Sequence, residues 1–181
     1  MTREEALELV KQHCSNRNLM KHMLATEAVM RGLAERLEED VETWALAGLV
    51  HDLDYDETAD DPERHGLVSA DRLEEAGCSD AIIHAVKAHN SRVPCDCAMD
   101  RALYASDPVT GLIVAATLMH PTKKLKEVDV DFVMRRYGEK RFAAGANREQ
   151  ISSCTELGIP LEEFVGIALA SMQGISDDLG L

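Results

Sequence analysis

The sequence predicts an all-α protein, and three observations carry that expectation. Apolar residues recur at helical spacing almost throughout, most clearly near the end of the chain at Leu161, Phe164, Val165, Ala168, Met172, Ile175 and Leu179. Few alternating β-branched runs compete with that period. Gly77, Pro94, Pro121, Gly138, Gly158 and Pro160 fall where the periodic segments stop, as helix-terminating residues should.

The first expected helix, roughly residues 3–14, is charged and has none of the basic-then-apolar character of a leader. The second, roughly 18–38, carries Met20, Met23 and Met30 at core-packing spacing and turns His22 toward the apolar face of Val29 and Leu33. The third, roughly 41–53, contains the apolar run Trp44 to Val50 and ends in His51-Asp52. A fourth, roughly 62–76, stops at Gly77, and a fifth, roughly 79–90, places His89 on the face of Ile82 and Val86. A long helix over roughly 98–119 follows, then shorter ones over roughly 129–137, 146–156 and 160–179.

At 181 residues, with 45% hydrophobic and 29% charged side chains, the chain suits one domain over 1–181 with a sizeable interior, and a disordered or fibrous composition is excluded. No linker, repeat or low-complexity tract divides it. Lys and Arg number 19 against 33 Asp and Glu, a net charge of −14, which argues against a general binder of nucleic acid or anionic membrane. No run approaches the roughly 20 apolar residues of a membrane span, so no membrane partner and a cytoplasmic location are expected. Five cysteines, Cys14, Cys78, Cys95, Cys97 and Cys154, are an odd number and read as reduced thiols. Cys95-Asp96-Cys97 lacks the second pair or nearby His of a zinc site and reads as loop thiols.

Charge is uneven. Residues 1–100 carry 10 basic and 22 acidic side chains, whereas 120–148 is locally +4, with Lys123, Lys124, Lys126, Arg135, Arg136, Lys140, Arg141 and Arg148 against Glu127, Asp129, Asp131 and Glu139. That cluster is a candidate phosphate anchor or simply a solvated helix face.

His51 and Asp52 emerge together where an apolar helix leaves the core. A buried carboxylate there requires a cation, a metal or several donors; bracing of a helix end is the plainer reading. His22 and His89, each facing an apolar side of its own helix, add two more inward imidazoles, and imidazoles from separate helices converging on a carboxylate are how transition-metal sites are built in helical cores. Asp107 precedes Pro108, a pair that reads as an ordinary helix start, with a carboxylate able both to cap and to reach a metal. His65 follows the acidic stretch Asp54 to Glu63 and by position reads as a surface residue. His13, His84 and His120 have no comparable setting.

The ordered set His22, His51-Asp52 and Asp107 resembles the H…HD…D pattern of the HD-domain superfamily of metal-dependent phosphohydrolases. His65 and His89 fall between the doublet and the last Asp, as in HD proteins that hold two metals. Leu49-Val-His-Asp-Leu-Asp-Tyr55, Ala88-His-Asn90 and Ala105-Ser-Asp-Pro-Val-Thr-Gly111 also look like the small HD-domain proteins of bacteria and archaea. The motifs cover about 15–120, and 121–181 looks like the helical extension of that subgroup. The resemblance implies an HD-type helical bundle in which His22, His51, Asp52 and Asp107 bind a first metal and His65 and His89 a second, with Asp52 bridging. Such a mixed nitrogen and oxygen set suits Fe, Mn, Co, Ni or Zn over Mg or Ca.

The activity implied is hydrolysis of a small phosphorylated molecule, a nucleotide, dinucleotide or phosphomonoester, by metal-activated water. Arg92, Lys123, Lys124 and Arg148 are the candidates for neutralising phosphate. Asp54 is a candidate to orient the water or act as general acid, or is an exposed loop carboxylate. Two other readings share the ligands: an HD-type mixed-valent di-iron oxygenase, and a non-catalytic module stapled by its metal.

Overall fold

A computed structural model describes residues 1–181, and every regular element in it is helical. Helix α1 (Arg3–His13) opens with Thr2 accepting from the Glu5 amide while the Glu5 carboxylate accepts from the Thr2 amide. Asn16 caps α2 (Arg17–Leu37), which ends on Glu38 in the left-handed region, and Asp40 caps α3 (Val41–Val50). There follow α4 (Tyr55–Thr58), α5 (Leu67–Glu75), α6 (Asp80–His89), α7 (Ala98–Met119), α8 (Val130–Tyr137), α9 (Arg148–Ser152), α10 (Leu161–Gly174) and α11 (Ser176–Leu179).

The differences from the expected elements are local. The helix expected over 62–76 starts only at Leu67, because residues 59–66 form turns that carry His65. The one expected over 41–53 stops at Val50, freeing His51 to Asp54 as a turn. The last helix breaks at Ile175, and 153–157 is a 3-10 turn closed by Gly158. Asp107-Pro108 does not start a helix. Pro108 lies inside α7 and adds no amide to its ladder, yet α7 continues because its flanking residues are pinned in the core.

Contrary to the expectation that no segment reaches the length of a membrane span, helix α7 is long and apolar enough by composition to cross a bilayer, and most of it is buried in the protein interior. The buried apolar residues form one contiguous core that runs from Ala6 to Leu179, so α8 to α11 pack on the same core as α1 to α7. Gly32 of α2 lies against Ile167 and Ser171 of α10, and the Gln173 amide donates to the carbonyls of Leu125 and Val128.

The contact that positions the site is between α2 and α3. A Cβ placed on Gly48 would lie 2.7 Å from the Thr26 carbonyl oxygen and 2.9 Å from the Glu27 Cα, so the two backbones touch there and only glycine fits. His22 lies one turn before Thr26 on α2, and His51 follows Gly48 by three residues on α3. The close approach therefore sets the two imidazoles beside each other.

Candidate metal centre

Six side chains from five places in the chain meet at the end of α3. His51 caps that helix and donates from Nδ1 to the Gly48 carbonyl at 2.8 Å. His22 donates from Nδ1 to Thr110 Oγ1 at 2.9 Å; the Thr110 hydroxyl proton is already committed to the Asp107 carbonyl, which fixes Nδ1 as the donor. His89, at the end of α6, donates to the Val86 carbonyl. His65 donates to Asp54 Oδ1 at 2.8 Å. All four Nδ1 atoms are thus tied back to the protein, which leaves four Nε2 lone pairs facing inward.

Those lone pairs surround two carboxylates. Asp52 Oδ2 lies 3.6 Å from both His22 Nε2 and His51 Nε2, while Asp52 Oδ1 lies 3.4 Å from His65 Nε2 and 3.5 Å from His89 Nε2. Asp107 Oδ1 is 3.1 Å from His22 Nε2 and 3.9 Å from His51 Nε2. His22 Nε2 and His51 Nε2 face each other at 3.1 Å, and His89 Nε2 is buried without a hydrogen-bond partner. Acceptors packed this way repel unless positive charge lies between them.

A metal fits that requirement. Ligand bonds of about 2.1 Å hold neighbouring ligand atoms about 3.0–3.4 Å apart in octahedral or tetrahedral geometry, close to most of the separations here. His22, His51 and Asp107 form one trio compact enough for an ion, and His51, Asp52 and His89 another.

Electrostatics follows from the same packing. Burial pushes the His51 imidazole down to about 4. Burial also opposes charge on Asp52, but His51, His89 and His22 outweigh it and hold the carboxyl well below its usual range. On His22 the pull of burial is outweighed by Asp107, and on His89 by Asp52, so both imidazoles are raised. Exposure grades across the cluster: the His51 side chain is 0% exposed, His22 24% and Asp107 32%, so the site opens toward solvent on the Asp107 side.

The remaining expected residues lie elsewhere in this arrangement. Asp54 is fully buried, neither solvent-facing nor at the cluster's centre. Its oxygens accept from His65 Nδ1 and from the amides of Gly66 and Ser69; burial is outweighed by these bonds, and its carboxyl is held below the usual range. It fixes the orientation of His65 and is not poised as a general acid. Gly66, at φ 82°, supplies the left-handed turn that starts α5 beside His89. His65 is correspondingly half-buried and not the surface residue its position suggests.

Arg92 is occupied as a brace, donating to the carbonyls of His65 and Pro62 and pairing with Glu63. Arg148 is likewise committed: its guanidinium donates to the carbonyls of Arg136, Tyr137, Phe142, Ala143 and Ala146. Neither arginine is free for phosphate. Lys123 and Lys124 are exposed and follow the end of α7, which lies about 18 Å along the helix axis from Asp107 at 1.5 Å per residue. The structure does not bring them to the cluster. Sequence reasoning singled out Asp54 but for a different role, and it missed the other orienting groups, Thr110 and the carbonyls of Gly48 and Val86.

The HD domain family profile matches residues 19–128, more than half of the chain and inclusive of all six clustered residues. The chain belongs to the HD-domain family. HD domains are associated with metal-dependent phosphohydrolase activity, and the buried His and Asp groups described here could hold a divalent metal. A protein named Ribonuclease Y from Salinispora arenicola is 27% identical over 135 residues, 73% of this chain and 23% of its own length. Ribonuclease Y of Nitratidesulfovibrio vulgaris is 31% identical over 98 residues, 53% of this chain and 18% of its own. That of Oleidesulfovibrio alaskensis is 27% identical over 137 residues, 74% and 26% respectively. The chain therefore spans about a quarter or less of these curated relatives. No solved structure matches it significantly.

Proposed function

We propose that this HD-domain chain is a phosphohydrolase using two divalent transition ions on a small phosphorylated molecule. His22, His51, Asp107 and Asp52 Oδ2 would hold the first ion, and His65, His89 and Asp52 Oδ1 the second. The observation that carries this reading is the Asp52 carboxylate, whose two oxygens face two different pairs of imidazole nitrogens. When bound, such ions supply Lewis acidity toward phosphoryl oxygens and acidify a water toward neutrality, which phosphoester hydrolysis needs. The nitrogen-rich ligand set favours Fe, Mn, Co, Ni or Zn.

The chain's own groups do the rest. Asp54 and Thr110 lock the tautomers of His65 and His22, and the carbonyls of Gly48 and Val86 lock those of His51 and His89. Asp52 stays ionised, and the open edge at Asp107 and His22 admits the phosphoryl group. The printed name of the relatives, Ribonuclease Y, points to RNA for those longer proteins. The net charge of −14 on this chain disfavours a polyanionic polymer and supports a small ester. Five free cysteines favour a reducing cytoplasm.

The test is release of p-nitrophenol from p-nitrophenyl phosphate by protein supplied with Mn²⁺ or Fe²⁺, compared with Asp52→Asn. The expected result is turnover that falls by about a hundredfold or more in the variant, with helical circular dichroism retained. Equal turnover in the variant overturns the proposal. Oxygen consumption in place of phosphoester cleavage would assign the ligands to di-iron oxidation.

A further inference from the structure

Two cavities meet at the candidate metal centre, and both are bordered by His22 and Gly111. The smaller, about 330 Å³, includes Asp107 and is walled by Ala143, Gly145 and Ala146. The larger, about 480 Å³, extends along α2 and α7 between Lys21, Ala25, Val114, Leu118 and Leu179. In each, one wall comes from residues beyond 128, past the segment matched by the family.

Three features of the larger cavity describe what it takes. Its apolar walls are aliphatic, with no Phe, Tyr or Trp on which a nucleobase could stack. The Lys21 ammonium lies against Gly180, close enough that a Cβ there would come within 2.9 Å of Nζ, and Lys21 makes no ion pair. Lys21 is partly buried, takes part in none of the protein's ion pairs and stands one residue from a ligand histidine, a setting that suits an oxyanion. Gly111 is the third feature. Glycine weakens a helix interior relative to alanine, and a Cβ on Gly111 would meet nothing within 4 Å, so packing does not require it. Its effect is to leave the junction of the two cavities open.

Resting on the phosphohydrolase reading, we propose that the larger cavity holds the organic body of the substrate, that this body is aliphatic, that Lys21 pairs with an oxyanion of the same molecule, and that Gly111 sets the clearance. The substrate class is then an alkyl phosphate ester in preference to a nucleotide. Residues 143–146 close over the phosphoryl end, held in place by Arg148 acting as a positioning residue.

The experiment measures kcat/KM for octyl phosphate, methyl phosphate and adenosine monophosphate in wild type, Gly111→Leu and Lys21→Met, with inorganic phosphate as readout. Wild type should prefer octyl phosphate to the nucleotide by about tenfold or more, and Gly111→Leu should collapse the octyl-to-methyl preference by about tenfold or more. Thermal denaturation checks that Gly111→Leu is folded, with a midpoint at or above that of wild type. A wild-type preference for the nucleotide, or an unaltered octyl-to-methyl ratio in Gly111→Leu, overturns the inference. If wild type releases phosphate from none of the three esters, the hydrolase reading fails separately. Calorimetric titration with octylphosphonate then decides the cavity alone: binding weakened in both variants upholds it, and no binding to wild type overturns it.

Discussion

Replacing Gly48 and Gly111 by alanine, one at a time, should move stability in opposite directions although both are helical glycines. At Gly48 the new Cβ would sit 2.7 Å from a backbone oxygen of α2, whereas ordinary contact begins at 3.4 Å. The backbones of α2 and α3 must therefore separate by about 0.7 Å, since neither side has a flexible end to yield. Overpacking of this kind costs about 1–3 kcal/mol, and alanine's better helix propensity returns about 1 kcal/mol, for a net loss of about 1 kcal/mol. At Gly111 no contact opposes the added methyl, and the propensity gain of about 0.5–1 kcal/mol stands alone. The two variants should differ by about 2 kcal/mol, or about 4–8 °C in Tm at this chain length. Thermal denaturation of metal-free protein measures this directly. Gly48→Ala should also loosen metal binding, because the separation moves His51 away from His22. Equal shifts of the same sign in both variants would refute the steric account of how α2 and α3 set the site.

Asp54→Asn should lower metal affinity at the His65 and His89 pair by about 10–100-fold, the usual effect of losing a group that orients a ligand histidine, read by competition with a chelating dye. Unchanged affinity would mean that His65 needs no such orienter. Arg148→Met should destabilise by about 2–3 kcal/mol as several of its five carbonyl partners lose their donor, and cleavage by a protease should concentrate in 138–147. Metal retention should fall with acidification. Ions must expel protons from His22 and His89, whose values are raised by Asp107 and Asp52 against burial, but not from His51, which burial holds near 4. Affinity should therefore decline steadily between about pH 8 and pH 5. A flat profile over that range would contradict the ligand assignment.

Much of this arrangement was legible in the sequence, for reasons specific to each residue. His22 and His89 share a helical face with Val29, Leu33, Ile82 and Val86, so their inward direction follows from the 3.6-residue period. His51-Asp52 announces itself by ending an apolar run. His65 does not: it sits in a turn among acidic residues, where periodicity has no meaning, and only the family resemblance placed it. Its burial depends on Asp54, Gly66 and Arg92, contacts made across 11, 1 and 27 residues. The Asp107-Pro108 pair misleads because local propensity favours a helix start there, while tertiary burial of Leu103, Val109 and Ile113 carries α7 through. Arg92 and Arg148 read as phosphate anchors because charge is visible in a sequence and carbonyl partners are not, and Lys123 and Lys124 because their distance from the cluster is not visible either.

The central claim is that four imidazole Nε2 atoms and the two oxygens of Asp52 hold two ions. It is tested most directly by metal content per chain, measured by elemental analysis on protein purified without chelator or histidine tag. Wild type is predicted to carry close to two transition ions, falling toward one in His65→Ala and in His89→Ala with helicity preserved. One ion or none in wild type, unchanged in both variants, would contradict the account.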